Sequence, residues 1–273
     1  MLKKIFLYCS LIALIFSLGC VKKESEEVKD KLVIAGSTTV QPIIIKAAEI
    51  FSKKYPEIKI GVQGGGSGTG IRMISEGSID IGASSRELSE EEKRKHPELI
   101  VHKIALDCIV IIVHPSNPIE NLTLEQVRKI FLGEITNFKE VGGPDKKIVV
   151  VQREDGGGTR VSFNELVMNH TEVFVGALQK PSSGAVRFTV SGNENAIGYV
   201  GIGYLDGTIK PIAINGVMPT EENIQNGKYP LARNLYLITR GQPTGKVKNF
   251  IDFILSDEGQ EIVKKEGFVR IKK

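Results

Sequence analysis

A chain of 273 residues that is 41% hydrophobic and 25% charged can bury a sizeable core, in one large domain or two lobes. Its net charge of +4 is mild and diffuse, and no Lys/Arg stripe interleaved with aromatics occurs, which speaks against a nucleic-acid partner. The 29 glycines cluster instead of scattering, so they mark particular loops.

Residues 1–19 read as a signal peptide. Lys3 and Lys4 form a basic start, and Ile5 to Leu18 is almost entirely apolar but short for a membrane span. Ser17-Leu18-Gly19-Cys20 resembles a lipobox, with Leu18 one place later than usual, so Cys20 is the expected lipidation site. An uncleaved N-terminal anchor is the alternative, and either arrangement tethers the chain to the outer face of a cell membrane. Residues 20–30 are charged and poor in apolar side chains, as in a flexible tether. Cys108 is the one remaining thiol of the folded part; it has no partner for an internal disulfide and sits in an apolar run, as a small core residue.

Leu32-Val33-Ile34-Ala35 predicts a buried strand that runs into Gly36-Ser37-Thr38-Thr39 and then an amphipathic helix through Phe51, with Pro42 in its first turn. A second strand over 58–63 enters Gly64-Gly65-Gly66-Ser67-Gly68-Thr69-Gly70 and a short helix. A third over 79–82 ends in Ala83-Ser84-Ser85-Arg86. Ser89 with Glu92, and Thr123 with Gln126, are capping boxes that open two more helices. Between them, Ile104 to Val113 predicts a long strand. Residues 147–152 predict a strand leading into Arg153-Glu154-Asp155-Gly156-Gly157-Gly158-Thr159-Arg160 and a helix. A strand over 197–200 and a C-terminal helix over 250–263 follow. Strands alternating with helices predict an α/β fold with mostly parallel sheets.

One pattern recurs three times, at 36–39, 64–70 and 156–159: strand, Gly/Ser/Thr loop, helix. A helix start leaves its first N–H groups unpartnered and carries partial positive charge, glycine admits a ligand to the backbone, and hydroxyls add donors. Each loop alone is also what an ordinary N-cap or turn looks like. Three converging would cage a phosphate-like anion. Arg153 and Arg160 flank the third loop, where a guanidinium can grip an oxyanion. Asp155 stands two residues from Arg153, as an ion-pair partner or a helix N-terminal acid. No Walker loop is present. A secreted phosphatase needs clustered metal ligands or an activated nucleophile, but His96, His102, His114 and His170 are scattered, and no catalytic residue, metal site or cofactor is expected.

These stations, with Ile135-Thr136-Asn137-Phe138, Ala196-Ile197-Gly198-Tyr199-Val200-Gly201 and Asp252-Phe253-Ile254-Leu255-Ser256, resemble in order and spacing the short form of the PstS-type phosphate-binding proteins of ABC importers. The resemblance implies a two-lobed periplasmic-binding-protein fold of type II, with residues 31–108 plus 212–273 in one lobe and 109–211 in the other. The crossings then fall near Cys108 and Pro211. It implies a monomer that binds inorganic phosphate and docks on ABC permease subunits. The implied ligands are Ser37, Thr38, Thr39, Ser67, Ser85, Arg153, Gly157, Gly158 and Thr159, with Asp155 orienting Arg153 and with Arg86, Asp107 and Arg160 nearby. Two positions depart from the pattern. Gly157 stands where many relatives have Ser, and Ser85 stands where the long members have an Asp that accepts the phosphate proton and rejects sulfate. Asp107, Glu154 and Asp155 are alternative carboxylates for that task, and a receptor for sulfate or molybdate is the alternative reading.

Overall fold

A computed structural model describes residues 30–271. The expected signal peptide, Cys20 and nearly all of the expected tether lie outside the described residues. Among those described, no helix is long and apolar enough to cross a membrane.

β1 (Lys31–Gly36) leads into α1 (Gln41–Lys54), whose buried face is Ile43, Ile44, Ala47, Ala48 and Phe51 and whose first turn holds Pro42. β2 (Lys59–Gln63), α2 (Ser67–Ser75) and β3 (Ile81–Ser84) follow. α3 (Glu90–Lys95) opens with the expected Ser89/Glu92 capping box. β4 (Leu99–Val113) is longer than expected, because the alternating residues 99–103 join it. β5 (Asn121–Leu122) precedes α4 (Leu124–Leu132), which carries the Thr123/Gln126 box. Next come β6 (Val149–Arg153), α5 (Gly158–Leu166), β7 (Leu178–Lys180), α6 (Ser183–Ser191) and β8 (Ala196–Gly201). β9 (Lys210–Pro211), β10 (Ala213–Ile214), α7 (Glu221–Gln225) and β11 (Ala232–Arg240) lead to α8 (Gly245–Leu255) and α9 (Asp257–Lys265). The single helix expected over 250–263 is thus two. Ser256 ends one and caps the next, its hydroxyl accepting from Gly259 N at 3.2 Å, with Asp257 and Glu258 favourably placed in the first turn.

The main sheet runs β2-β1-β3-β11-β4-β8-β6-β7, with β9 beside β4, and β5 pairs β10 separately. The strands feeding the glycine loops are parallel to their neighbours β2, β3, β7 and β8. β11 and β4 run antiparallel through the middle. The result is an α/β fold with a mixed sheet flanked by helices. β4 pairs with β11 over Leu99–Cys108 and with β8 over Ile109–Val113, so it changes partner between Cys108 and Ile109. Cys108 itself is fully buried.

Two large cores lie on either side of that point. One gathers Leu32, Ile34, Phe51, Leu235, Leu237 and Phe250; the other gathers Ile109 to Val113, Phe131, Phe163 and Tyr199. Ile212, Ile214, Ile224, Tyr229 and Leu231 belong to the second core, not to the first as expected for 212–231. β9 lies on β4, β10 lies on β5, and Tyr229 Oη donates to Ile109 O at 3.1 Å. The chain therefore turns back toward the first core as β11 begins at Ala232, which itself still packs on the second.

Candidate functional site

The three glycine loops meet between the two cores. The helices they open, α1, α2 and α5, start at Val40, Gly66 and Gly157 without a side-chain cap. By contrast α3, α4, α6, α7 and α9 are each capped by a Ser or Thr, with α8 the other uncapped start. The uncapped ends direct their partial positive charge at the space between the loops. Gly68 N donates to Gly156 O at 3.0 Å, joining the second loop to the third. A Cβ on Gly158 would lie 2.1 Å from Ser67 Oγ and 2.7 Å from Ser85 Oγ, so only glycine allows this approach.

Arg153 ends β6 with its side chain between the loops, and it is 2% exposed. Its Nη1 donates to Thr38 Oγ1 at 3.1 Å and to Ser183 Oγ at 3.3 Å, and its Nη2 donates to Pro181 O at 3.0 Å. Its Nε is buried without a partner. All these partners are neutral, and among the described residues no carboxylate forms an ion pair with it. Burial pulls its proton affinity below the ordinary arginine value, a trend that Tyr199, Glu154 and Tyr204 oppose. A guanidinium stays charged under such a shift, so the site holds a buried, uncompensated cation. Beneath it, Tyr199 Oη accepts from Arg153 N at 3.3 Å, and the Tyr199 ring stacks on Phe163 at 4.0 Å, which sets the end of β6 on the second core.

The hydroxyls around Arg153 have more protons than they can use among themselves. Thr38 Oγ1 accepts from Arg153 and from Ser183 N at 3.4 Å, leaving its own proton free. Ser183 Oγ, Thr39 Oγ1 and Thr159 Oγ1 form a chain with links of 3.2 and 2.9 Å. Arg153 donates into one end, and Arg233 Nη2 donates into the other at 3.0 Å. Guanidinium groups only donate, so three hydroxyl protons serve two links and one is left over. Ser67 Oγ likewise accepts from Ser85 N at 3.0 Å. A buried cation with surplus donors is matched by a small anion that accepts hydrogen bonds. Among the described residues, no cluster of His, Cys, Asp and Glu is placed to hold a metal ion.

A model of the PBP superfamily domain matches residues 21–258. The phosphate-binding protein PstS of Bacillus subtilis is 35% identical over 251 residues, 91% of this chain and 83% of that one. The chain belongs to the PstS family. PstS of Borreliella burgdorferi is 33% identical, covering 99% of this chain and all of its own. Among solved structures, an ABC transporter substrate-binding protein from Clostridium perfringens with bound phosphate is 42% identical, with a TM-score of 0.86 over 89% of this chain and all of that one. An ABC-type phosphate transport receptor from Vibrio cholerae is 35% identical, with a TM-score of 0.74 over 88% of this chain and all of that one.

In this PstS-family chain, Ser37, Thr38, Thr39, Ser67, Ser85, Arg153, Gly158 and Thr159 come together, all buried. Ser37 Oγ turns back to accept from Thr39 N at 3.2 Å. The residues expected beside the ligands, Arg86, Asp107, Asp155 and Arg160, are each engaged with a charged side chain. Asp155 is 89% exposed in the turn after β6 and pairs with Arg160 at 3.1 Å, so it does not orient Arg153. Arg160 lies behind the strand, donating to Arg153 O at 3.2 Å and pairing with Glu172. Arg86 is held bidentately by Glu92, both bonds 2.7 Å. Asp107 is fully buried but ion-paired to Arg233 at 2.8 Å. Three residues were missed from sequence. Ser183 starts α6, and Ser182-Ser183 ahead of Val186 and Val190 was a legible helix start. Tyr204 Oη donates to Thr38 O. Arg233 sits on β11, a strand the sequence reading passed over.

Proposed function

We propose that this chain captures inorganic phosphate outside the cytoplasmic membrane and delivers it to the permease subunits of an ABC importer. The observation that carries this reading is Arg153, a buried guanidinium with only neutral partners inside a cage of surplus donors. A tetrahedral anion supplies the charge and the acceptors that the protein omits. Phosphate is favoured over other oxyanions by the names of the Bacillus and Borreliella relatives and by the phosphate bound in the Clostridium structure. The proposed ligands are the guanidinium of Arg153, the hydroxyls of Thr38, Thr39, Ser67, Ser85, Thr159 and Ser183, and the backbone N–H of Gly158, with Ser37 shaping the first loop and Gly157, whose N–H donates to Glu154 O at 3.4 Å, closing the turn of the third.

Residues 31–108 with 232–271 would form one lobe and 109–231 the other, closing about the crossings at Cys108–Ile109 and Leu231–Ala232. The chain acts as a monomer and does no chemistry on its ligand. Lipidated Cys20 holds it to the membrane, a reading supported by Ser17-Leu18-Gly19-Cys20 alone. Calorimetric titration with phosphate, sulfate and molybdate tests the assignment. One phosphate per chain, bound far more tightly than the other two, is expected. Binding of sulfate or molybdate without phosphate would overturn it.

A further inference from the structure

Arg233 lies opposite Asp107 in the β11–β4 register, next to the point where β4 changes partner. Its Nε and Nη2 both lie 2.8 Å from Asp107 Oδ2, while Nη2 also donates to Thr159 Oγ1 at 3.0 Å. The other oxygen of Asp107 accepts from Ile202 N at 2.9 Å. Gly201 closes over the pair. A Cβ there would lie 2.9 and 3.0 Å from the two Asp107 oxygens and 2.8 Å from the Thr39 methyl. The guanidinium is therefore fixed by one carboxylate and reaches across to the loop that opens α5.

We propose that Arg233 is a positioning residue for the anion, setting the Thr159 hydroxyl as a donor directed into the cage. The inference rests on the phosphate-binding reading above. A guanidinium has five N–H groups and no acceptor, so the Thr159 proton cannot point toward Arg233. It must point to Thr39, 2.9 Å away, or to a ligand oxygen. When a ligand oxygen accepts from Thr159, the Thr39 proton is the one that closes the link to Thr159 or turns to Ser183. The positive charge behind Thr159 also strengthens its O–H as a donor. Asp107 neutralises Arg233 overall, so the gain is directional and Arg153 remains the charge-matching group.

The test titrates the full chain with inorganic phosphate in four forms: wild type, Arg233→Lys, Thr159→Val and the double variant. Lysine keeps the charge against Asp107 but lacks the fork that spans both partners. Arg233→Lys and Thr159→Val are each expected to weaken phosphate binding about tenfold or more. The double variant should bind within about twofold of the weaker single variant, with all melting midpoints in the absence of phosphate close together. A merely structural role would move the midpoints and give losses that multiply. Multiplying losses, or wild-type affinity in Arg233→Lys, would overturn the inference. Should Arg233→Lys fail to fold, Asp107→Asn with Arg233→Met removes the buried pair as a unit, and the same comparison against Thr159→Val applies. Absence of phosphate binding by the wild type would instead sink the functional reading.

Discussion

Burying a guanidinium without a carboxylate costs several kcal/mol, even after relaxation. Arg153 bears that cost with neutral hydroxyl and carbonyl partners. Arg153→Met should therefore weaken phosphate binding by roughly 1.5–3 kcal/mol or more. The same change should leave the melting midpoint without phosphate unchanged or raise it. Melts with and without phosphate read both effects, and a variant that is less stable but binds normally would contradict the role. Ser85 has a different consequence. Its Oγ lies 3.4 Å from Ser67 Oγ, and it brings a hydroxyl where a carboxylate would turn away a fully ionised anion. Ser85→Asp is expected to lower sulfate competition against phosphate by at least tenfold in a displacement titration. The phenols near the site add an alkaline dependence. Burial pushes Tyr199 and Tyr204 up to about 12, so the unfolded chain loses those protons first as pH rises past about 10. Their contribution is fully present below that pH and is lost as pH climbs toward 12, about 2–3 kcal/mol for fully buried Tyr199. Melting midpoints across pH 8 to 12 should fall over that window, and less steeply in Tyr199→Phe.

At the scale of elements, the cage depends on helix starts that approach one another without side chains between them. Gly158→Ala should block that approach, because its Cβ would fall 2.1 Å from Ser67 Oγ on the opposite core. Phosphate affinity should drop at least a hundredfold while the two cores, and the melt without phosphate, stay intact. The three loops were legible in the sequence because their chemistry is contiguous: each glycine run sits between a strand and a helix. Asp155 misled because nearness in sequence is not nearness in space. Arg153 ends a strand facing inward, and two residues later the chain has turned to solvent. Arg233 was beyond reach for the opposite reason. Its partners Asp107 and Thr159 are 126 and 74 positions away, and only the antiparallel register of β11 on β4 brings them together. The run Leu235-Tyr236-Leu237-Ile238 was a readable strand, but it opens no glycine loop to draw attention. The return crossing was misplaced because β9 and β10 are two-residue strands with no periodicity to assign them to either core.

At the scale of the molecule, one strand belongs to both cores and the anion cage lies between them. Phosphate should draw the cores together and stabilise the whole chain. At a hundred times the dissociation constant the gain is about 2.7 kcal/mol, read as a rise in melting midpoint. Small-angle scattering should show the radius of gyration shrink on adding phosphate, and an unchanged profile would count against closure. The surplus protons around Arg153 then take on a second meaning. Bringing the loops together concentrates positive charge and donors that repel or waste one another until an acceptor arrives. On the proposed function, shape would become conditional on cargo. A permease that recognised only the compact form would then read occupancy from outline alone, and its transport cycle would not be spent on vacant receptors.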